Sequence, residues 1–232
     1  MILAKVRKLL AKAEDPACTT AEAEAFTAKA TELIARYGVD RALLAASDPS
    51  TDPVGDRVID LLPPYALDKA GLLAGVAGAL RCRSVRRRAG SGFAMHLFEF
   101  ASDLERTELL YTSLLVQAAQ GLASAPVPVG DHPAAFRRSW LAGFAGAVSA
   151  RLRQAEESAA GESPPGAASF ALVLADRSDR VEHRLAEAYP RLRSAPGRRL
   201  AGSGLGAGAA AGRRADLGGV GLEPGRPAPL SR

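Results

Sequence analysis

The sequence is poor in the residues that build disulfide scaffolds and zinc sites. It has only two cysteines, Cys18 and Cys82, which lie far apart with no CxxC pair, and its three histidines, His96, His132 and His183, are equally scattered. Zinc ribbons need ligand pairs at short spacing, and disulfide scaffolds need several cysteines. Both classes are therefore excluded, and the sequence predicts neither a metal nor a cofactor.

Long hydrophobic runs are absent as well. The longest apolar stretch, residues 70–80, has 11 residues, whereas a membrane-spanning helix needs about 20. Residues 1–8 include three basic side chains, Lys5, Arg7 and Lys8, and lack the continuous apolar region of an export signal. With 232 residues, of which 47% are hydrophobic, the chain can form a buried core. We therefore expect a soluble, cytoplasmic protein with no membrane partner.

Charge is unevenly placed along the chain. The formal net charge is +5, but residues 180–232 carry ten basic and four acidic residues, which is +6 and leaves −1 for the rest. From residue 196 onward glycine, alanine, arginine and proline dominate. Such a composition buries too little apolar surface to offset the entropy lost on folding. It predicts a basic, largely disordered tail over residues 196–232, most clearly at residues 219–232.

The first forty residues predict a helical hairpin, within a domain at residues 1–46. Apolar residues recur at i, i+3, i+4 and i+7 in the first helix, namely Val6, Leu9, Leu10 and Ala13. Thr19 and Glu22 have the spacing of a capping box, which predicts the start of a second helix. Gly38 follows the apolar face of that helix, and we expect it to end the helix as a left-handed C-cap.

Beyond a predicted linker at residues 47–56, strands and helices are mixed. The predicted elements are a strand at 57–62, a helix at 65–80, a strand hairpin at 82–88 and 93–100, and helices that begin at Ser102, near Pro133 and at 179. The apolar run 169–175 is of uncertain type. This order predicts an α+β fold, in which the αα-hairpin precedes a small three-stranded sheet covered by helices within residues 57–195.

A dense group of arginines lies on the predicted strand hairpin. Five guanidinium groups fall within eight residues, at Arg81, Arg83, Arg86, Arg87 and Arg88. Arginine presents a rigid donor fork that suits phosphates, so these residues are candidates for nucleic-acid or anion binding. Lys5 and Lys8 of the first helix are further candidates. The alternative is that the arginines keep an edge strand soluble and the lysines line a solvated helix face.

Recognisable catalytic and nucleotide-binding motifs are missing. No GxSxG, HExxH or GxxxxGK[ST] pattern occurs, and the glycine-rich run 202–208 does not follow a predicted strand, as a dinucleotide-binding loop would. We therefore expect a non-enzymatic binding or adaptor module that contacts protein or nucleic acid. The alternative is a hydrolase or other enzyme whose site is assembled from scattered residues such as His96, Glu99 and His183. The identity of the partner and the oligomeric state stay open.

The segment from Lys5 to Asp40 resembles a bacterial and phage family, the domain of unknown function 2786. The family pattern begins K-[IV]-x-K-L-L, continues through an acidic, alanine-rich middle and ends K-A-x-x-L-[MI]-x-x-Y. The residues that fit it are Lys5, Lys8, Leu9, Leu10, Ala13, Glu22, Glu24, Lys29, Ala30, Leu33, Ile34 and Tyr37. The run 139–144 is similar to the α+β region often joined to this hairpin. The resemblance implies the two-part architecture and no catalytic residues, and the phage members of the family suggest nucleic-acid metabolism as context only.

Overall fold

A computed structural model describes residues 2–13, 19–161, 167–194, 197–215 and 217. In chain order its elements are α1 (Ile2–Ala13), α2 (Thr20–Ser47), β1 (Val54–Leu61), α3 (Ala66–Ala79), β2 (Arg83–Ala89), β3 (Gly92–Phe100), α4 (Ala101–Ser124), α5 (Pro133–Gly161), α6 (Ala167–Ala188) and α7 (Leu205–Arg214). A short 3-10 turn at Pro49–Thr51 leads from α2 towards β1. The architecture is α+β, as the sequence predicts. None of the described helices is long and apolar enough to cross a membrane.

Helices α1 and α2 form the predicted hairpin. The capping box begins α2: the Glu22 amide donates to the Thr19 hydroxyl at 3.3 Å, and the Thr19 amide donates to the Glu22 carboxylate at 3.0 Å. The prediction that Gly38 ends this helix is wrong, because α2 continues to Ser47. Glycine is required there by close packing against Arg106 of α4 and not by a left-handed turn.

The three strands form an antiparallel sheet in the order β1–β3–β2, so β3 is central and the other two strands are edges. The turn between β2 and β3 contains Gly90, whose φ of 52° lies in the left-handed region that glycine adopts without strain. The register places Val58, His96 and Val85 side by side across the sheet. Paired residues share a face and successive residues alternate, so this register decides which side chains meet each helical layer.

Helices cover both faces of the sheet. Leu97 of β3 lies in the main core, together with residues of α3, α4 and α5. Phe98 points to the opposite face, where it lies in a second core with Val181 and Leu185 of α6. The apolar run 169–175, whose secondary structure the sequence left uncertain, lies within helix α6.

Part of the predicted tail is helical. Helix α7 and its N-cap residue pack against α5 through three glycines four residues apart, Gly204, Gly208 and Gly212, which meet the backbone of Phe136, Trp140 and Phe144 in turn. The two helices therefore run parallel, and an added Cβ at any of these glycines would overlap the α5 backbone. The glycines of this segment, from which the sequence predicted disorder, form a surface that packs against α5. Residues 218–232 lie outside the described residues.

Candidate functional site

Four of the predicted anion-binding arginines lie on β2, an edge of the sheet. The register puts Arg83 and Arg87 on the side that α6 covers. Arg86 and Arg88 lie on the opposite side. All four residues are exposed. We call these four residues the basic strand; they form two short rows, one on each face, and not a single flat patch.

Two residues of the basic strand have partners. Nε of Arg83 donates to Glu182 of α6 at 2.6 Å. The guanidinium of Arg86 lies 5.4 Å from the centre of the Phe93 ring, within the range of a cation–π contact. Within the described part of the chain, Arg87 and Arg88 form no ion pair or hydrogen bond. These two guanidiniums are available to an external anion.

The other predicted binding residues lie elsewhere. Arg81 precedes β2 with a left-handed φ of 67°, and its guanidinium is 3.7 Å from a carboxylate oxygen of Glu156. Lys5 and Lys8 are exposed on α1, which packs against α2 and α4. The structure thus groups four of the seven predicted binding residues on one strand and leaves the remaining three apart.

The three residues considered for catalysis are not assembled into one site. His96 and Glu99 lie three positions apart on β3, so they project to opposite faces of the sheet. The side chain of His183 is 79% exposed on α6, with Nε2 3.3 Å from a carboxylate oxygen of Glu187. These three side chains therefore do not converge on one substrate position.

His96 belongs instead to an array on the α6 side of the sheet. Its Nε2 is 2.9 Å from a carboxylate oxygen of Asp56, and its Nδ1 is 2.9 Å from the Tyr189 hydroxyl. The hydrogen bond from His96, together with one from Arg184, holds the pKa of Asp56 below its usual value. A carboxylate accepts hydrogen bonds, so Nε2–H of His96 donates to Asp56. In the neutral ring, Nδ1 then accepts a hydrogen bond from the Tyr189 hydroxyl. We call Asp56, His96 and Tyr189 the histidine array.

A set of buried charges crosses the interior beneath α2. Its members alternate in sign and are each at most 7% exposed: Asp52, Arg177, Asp103, Arg106 and Glu156. We call this set the buried ion-pair chain. Its members come from the segment before β1 and from α6, α4 and α5. The chain therefore ties together parts of the molecule that are distant in sequence.

Each link of the buried ion-pair chain is a direct hydrogen bond. Arg177 donates to Asp52 at 3.0 Å and to Asp103 at 2.8 Å. Arg106 donates to the other oxygen of Asp103 at 2.5 Å. Arg106 also donates to Glu156. Buried charges are tolerated only when they are paired and hydrogen-bonded in this way, so the links must form together.

Glu99 lies beside this chain as a neutral acid. The chain has three carboxylates and two guanidiniums, a net charge of −1, and Arg81 at its edge offsets that charge. Burial raises the pKa of Glu99 to about 9, and the negative charge of Asp103 is the second cause. Glu99 is therefore protonated at neutral pH, since ionisation would add an unbalanced buried charge.

A small cavity lies between Glu99 and helix α2. Gly38, Val39 and Ala42 line one side of it, and arginines of the buried ion-pair chain line the other. Its volume is about 20 Å³, which holds one water molecule and no organic substrate. The residues around this cavity therefore join α2 to the α+β region. The cavity is too small to hold a substrate for a reaction.

Metal and thiol chemistry lack an assembled site in the described residues. No group of three or more His, Cys, Asp or Glu side chains among them could hold a metal ion. Cys82 is buried with its sulfur 3.2 Å from the Thr107 hydroxyl, and burial raises the pKa of its thiol well above the usual value. A thiol in that setting is a packed side chain and not an activated nucleophile.

Sequence reasoning missed the buried ion-pair chain. Asp52 falls in a predicted linker, where an acidic residue is expected to face solvent. The one local signal is the i, i+3 spacing of Asp103 and Arg106 within a single helix. That spacing is common on solvated helices, so it does not by itself indicate burial.

Comparison with known proteins bears on the N-terminal hairpin. The model of a family described as Protein of unknown function (DUF2786) matches residues 1–41. No curated protein matches the chain, and no solved structure matches it. The matched segment covers α1 and most of α2, including Gly38. The match over these residues is consistent with a DUF2786 domain at the N-terminus of this chain.

Proposed function

We propose that this chain is a non-enzymatic binding module, an adaptor that contacts protein or nucleic acid through the basic strand. The observation that carries the proposal is the pair of exposed guanidiniums at Arg87 and Arg88, which form no ion pair within the described residues. Exposed, uncompensated cations attract polyanions at long range and speed their encounter.

The density of charge on the basic strand supports the same proposal. Residues 86–88 place three consecutive arginines within about 7 Å of strand length. A flexible, single-stranded polyanion that follows this edge can reach guanidiniums on both faces of the strand over that distance. Lys5 and Lys8 add exposed positive charge on α1, and we include them as a secondary contact whose removal should weaken binding less.

Salt dependence tests the proposal with two probes, a single-stranded DNA oligonucleotide and a glutamate-rich peptide. A contact that neutralises three phosphates of single-stranded DNA gives a log–log salt slope of about −2, which is roughly a 20-fold loss of affinity between 50 and 200 mM salt. Absence of binding to both probes, or binding that salt leaves unchanged, contradicts the proposal.

Charge reversal provides the matched comparison. Changing the three arginines at 86–88 to glutamate should abolish binding while the protein stays folded, because these side chains are exposed. The control reverses three exposed arginines of α5, Arg137, Arg138 and Arg153, which changes the net charge equally. Equal losses in the two variants would show that overall charge and not the basic strand binds the probes.

A second candidate function is an enzyme, and the histidine array is the observation that favours it. A nucleophile, a base and an orienting carboxylate within hydrogen-bond reach are the usual arrangement for nucleophilic catalysis. In an ester hydrolysis, the Tyr189 oxygen would attack the carbonyl carbon as its proton passes to Nδ1 of His96. The departing alcohol would take that proton, and water would then release the acid.

Hydrolysis of p-nitrophenyl acetate tests this second candidate. His96→Gln and Tyr189→Phe should each lower the rate by about 100-fold or more if the array catalyses the reaction. His183→Gln is the matched control, because that side chain is exposed and outside the array. A rate that all three variants share with the unaltered protein would show that the histidine array does not catalyse ester hydrolysis.

A further inference from the structure

Among the residues that the structure describes, strand β2 pairs with a neighbouring strand on one side only. It is an edge of the sheet, and in the described part of the chain its backbone hydrogen bonds go to β3. In an antiparallel pair, the amides and carbonyls of alternate residues point away from the partner strand. The outer edge of β2 therefore presents a row of backbone donors and acceptors that another strand could join.

The side chains of β2 are arranged on both faces of that edge. Arg83 and Arg87 project to the α6 side, and Arg86 and Arg88 to the other side. A flat polyanion such as duplex nucleic acid would contact one of these rows at a time. An added strand also alternates its side chains between the two faces, so acidic residues along it meet both rows.

Charge decides which strands can join here. A second copy of β2 would place arginine opposite arginine, which is unfavourable on either face. The opposite edge of the sheet, β1, carries Asp56 and Asp60 against one basic residue, Arg57. Strand β2 carries four arginines and no acidic residue. An acidic strand is thus matched to β2 and mismatched to β1.

We propose that an extended, acidic segment of a partner protein joins the sheet as a fourth strand along the outer edge of β2. The inference rests on the proposed function and specifies its partner as a peptide strand. The seven residues of β2 provide about 24 Å of edge. Backbone hydrogen bonds supply the register, and the arginines on both faces select carboxylate side chains.

Amide hydrogen exchange in the full-length, ¹⁵N-labelled chain tests the inference. The probe is a peptide of about nine residues made of glutamate, threonine and valine. On saturation, alternate amides within residues 83–89 should become about tenfold or more slower to exchange, because those amides gain a hydrogen-bond partner. A single-stranded oligonucleotide of equal charge should not produce this alternating pattern.

Two N-methylated forms of the peptide complete the test. One is methylated at odd positions and the other at even positions, so only one form loses the amides that face β2. That form should bind about tenfold or more weakly, and the other should bind like the parent peptide. Weaker binding of both methylated forms, or of neither, overturns strand addition. Equal alternating protection by the oligonucleotide also overturns it.

The outcomes for the proposed function are separate. If the peptide binds through charge alone, the proposed function stands without the added strand. If neither probe binds, both proposals are wrong.

Discussion

Gly38 of α2 packs against the guanidinium of Arg106 on α4 so closely that an added Cβ would overlap it. Arg106 is 1% exposed and is held by Asp103 and Glu156, so it cannot move aside without breaking buried ion pairs. Through this contact the N-terminal helical hairpin packs against the buried ion-pair chain of the α+β region. A glycine in mid-helix costs about 1 kcal/mol of helix propensity, and the close packing explains its presence.

Gly38→Ala should destabilise the protein by about 1–3 kcal/mol, even though alanine favours helix, because the added methyl has no space. Urea unfolding measures the change. Gly71→Ala in α3 is the matched control: nothing lies within 4 Å of its Cβ position, so it should stabilise by about 0.5–1 kcal/mol. Equal stabilisation by both variants would show that α2 does not pack closely against Arg106.

The contact between α5 and α7 allows the same comparison within one helix. Gly208→Ala should detach α7, because the added methyl would overlap the Trp140 carbonyl. Gly206→Ala has open space and should strengthen the helix. Limited proteolysis followed by mass spectrometry checks this, with faster cleavage within residues 205–214 expected only for the Gly208 variant. Equal cleavage rates in the two variants would contradict the parallel packing.

Glu99 makes stability fall as pH rises. Its ordinary pKa is 4.5, and burial, followed by the charge of Asp103, raises its pKa to about 9 in the folded state. Between these values the folded protein holds a proton that the unfolded chain has released. The free energy of unfolding therefore drops with increasing pH, by up to about 1.4 kcal/mol per pH unit from this group.

Glu99→Gln removes that titration and keeps the side-chain shape. It should change stability little near pH 5 and increase it clearly at pH 8, by an amount on the order of a few kcal/mol. Urea unfolding at the two pH values is the measurement. An advantage of the same size at both pH values would mean that Glu99 is already ionised in the folded protein.

Arg177→Met should cost about 3–5 kcal/mol, because it leaves the carboxylates of Asp52 and Asp103 without their shared cation. Adding Asp52→Asn should recover part of the loss, since one uncompensated charge is then removed. A double-mutant cycle by chemical denaturation at pH 7 measures the coupling. Strictly additive effects of the two substitutions would contradict a direct buried ion pair.

Structural features that depend only on residues close together in the sequence could be predicted. The capping box at Thr19 and Glu22 lies where the sequence places it, because both partners are three residues apart. The three strands and the helices between them follow from local periodicity, with β1 beginning at Val54 and not at residue 57. The DUF2786 resemblance of residues 5–40 is confirmed by the match at 1–41.

Features that depend on distant partners could not be predicted. Gly38 has the sequence context of a helix end, and only the position of Arg106 shows it to be a packing site. The arginine cluster is plain in the sequence, but its division between two faces follows from the register of β2 on β3. Whether that cluster binds a partner stays a prediction.

By itself the sequence determined the helical hairpin, the α+β class and the arginine-rich strand, because each depends on spacings of a few residues that local backbone geometry converts directly into structure. Only the tertiary structure decided that Asp52, Arg177, Asp103, Arg106 and Glu156 form one buried ion-pair chain. Its links join residues up to 125 positions apart. A charge is stable in the interior only where folding brings its partner within hydrogen-bond distance, and no local pattern carries that information.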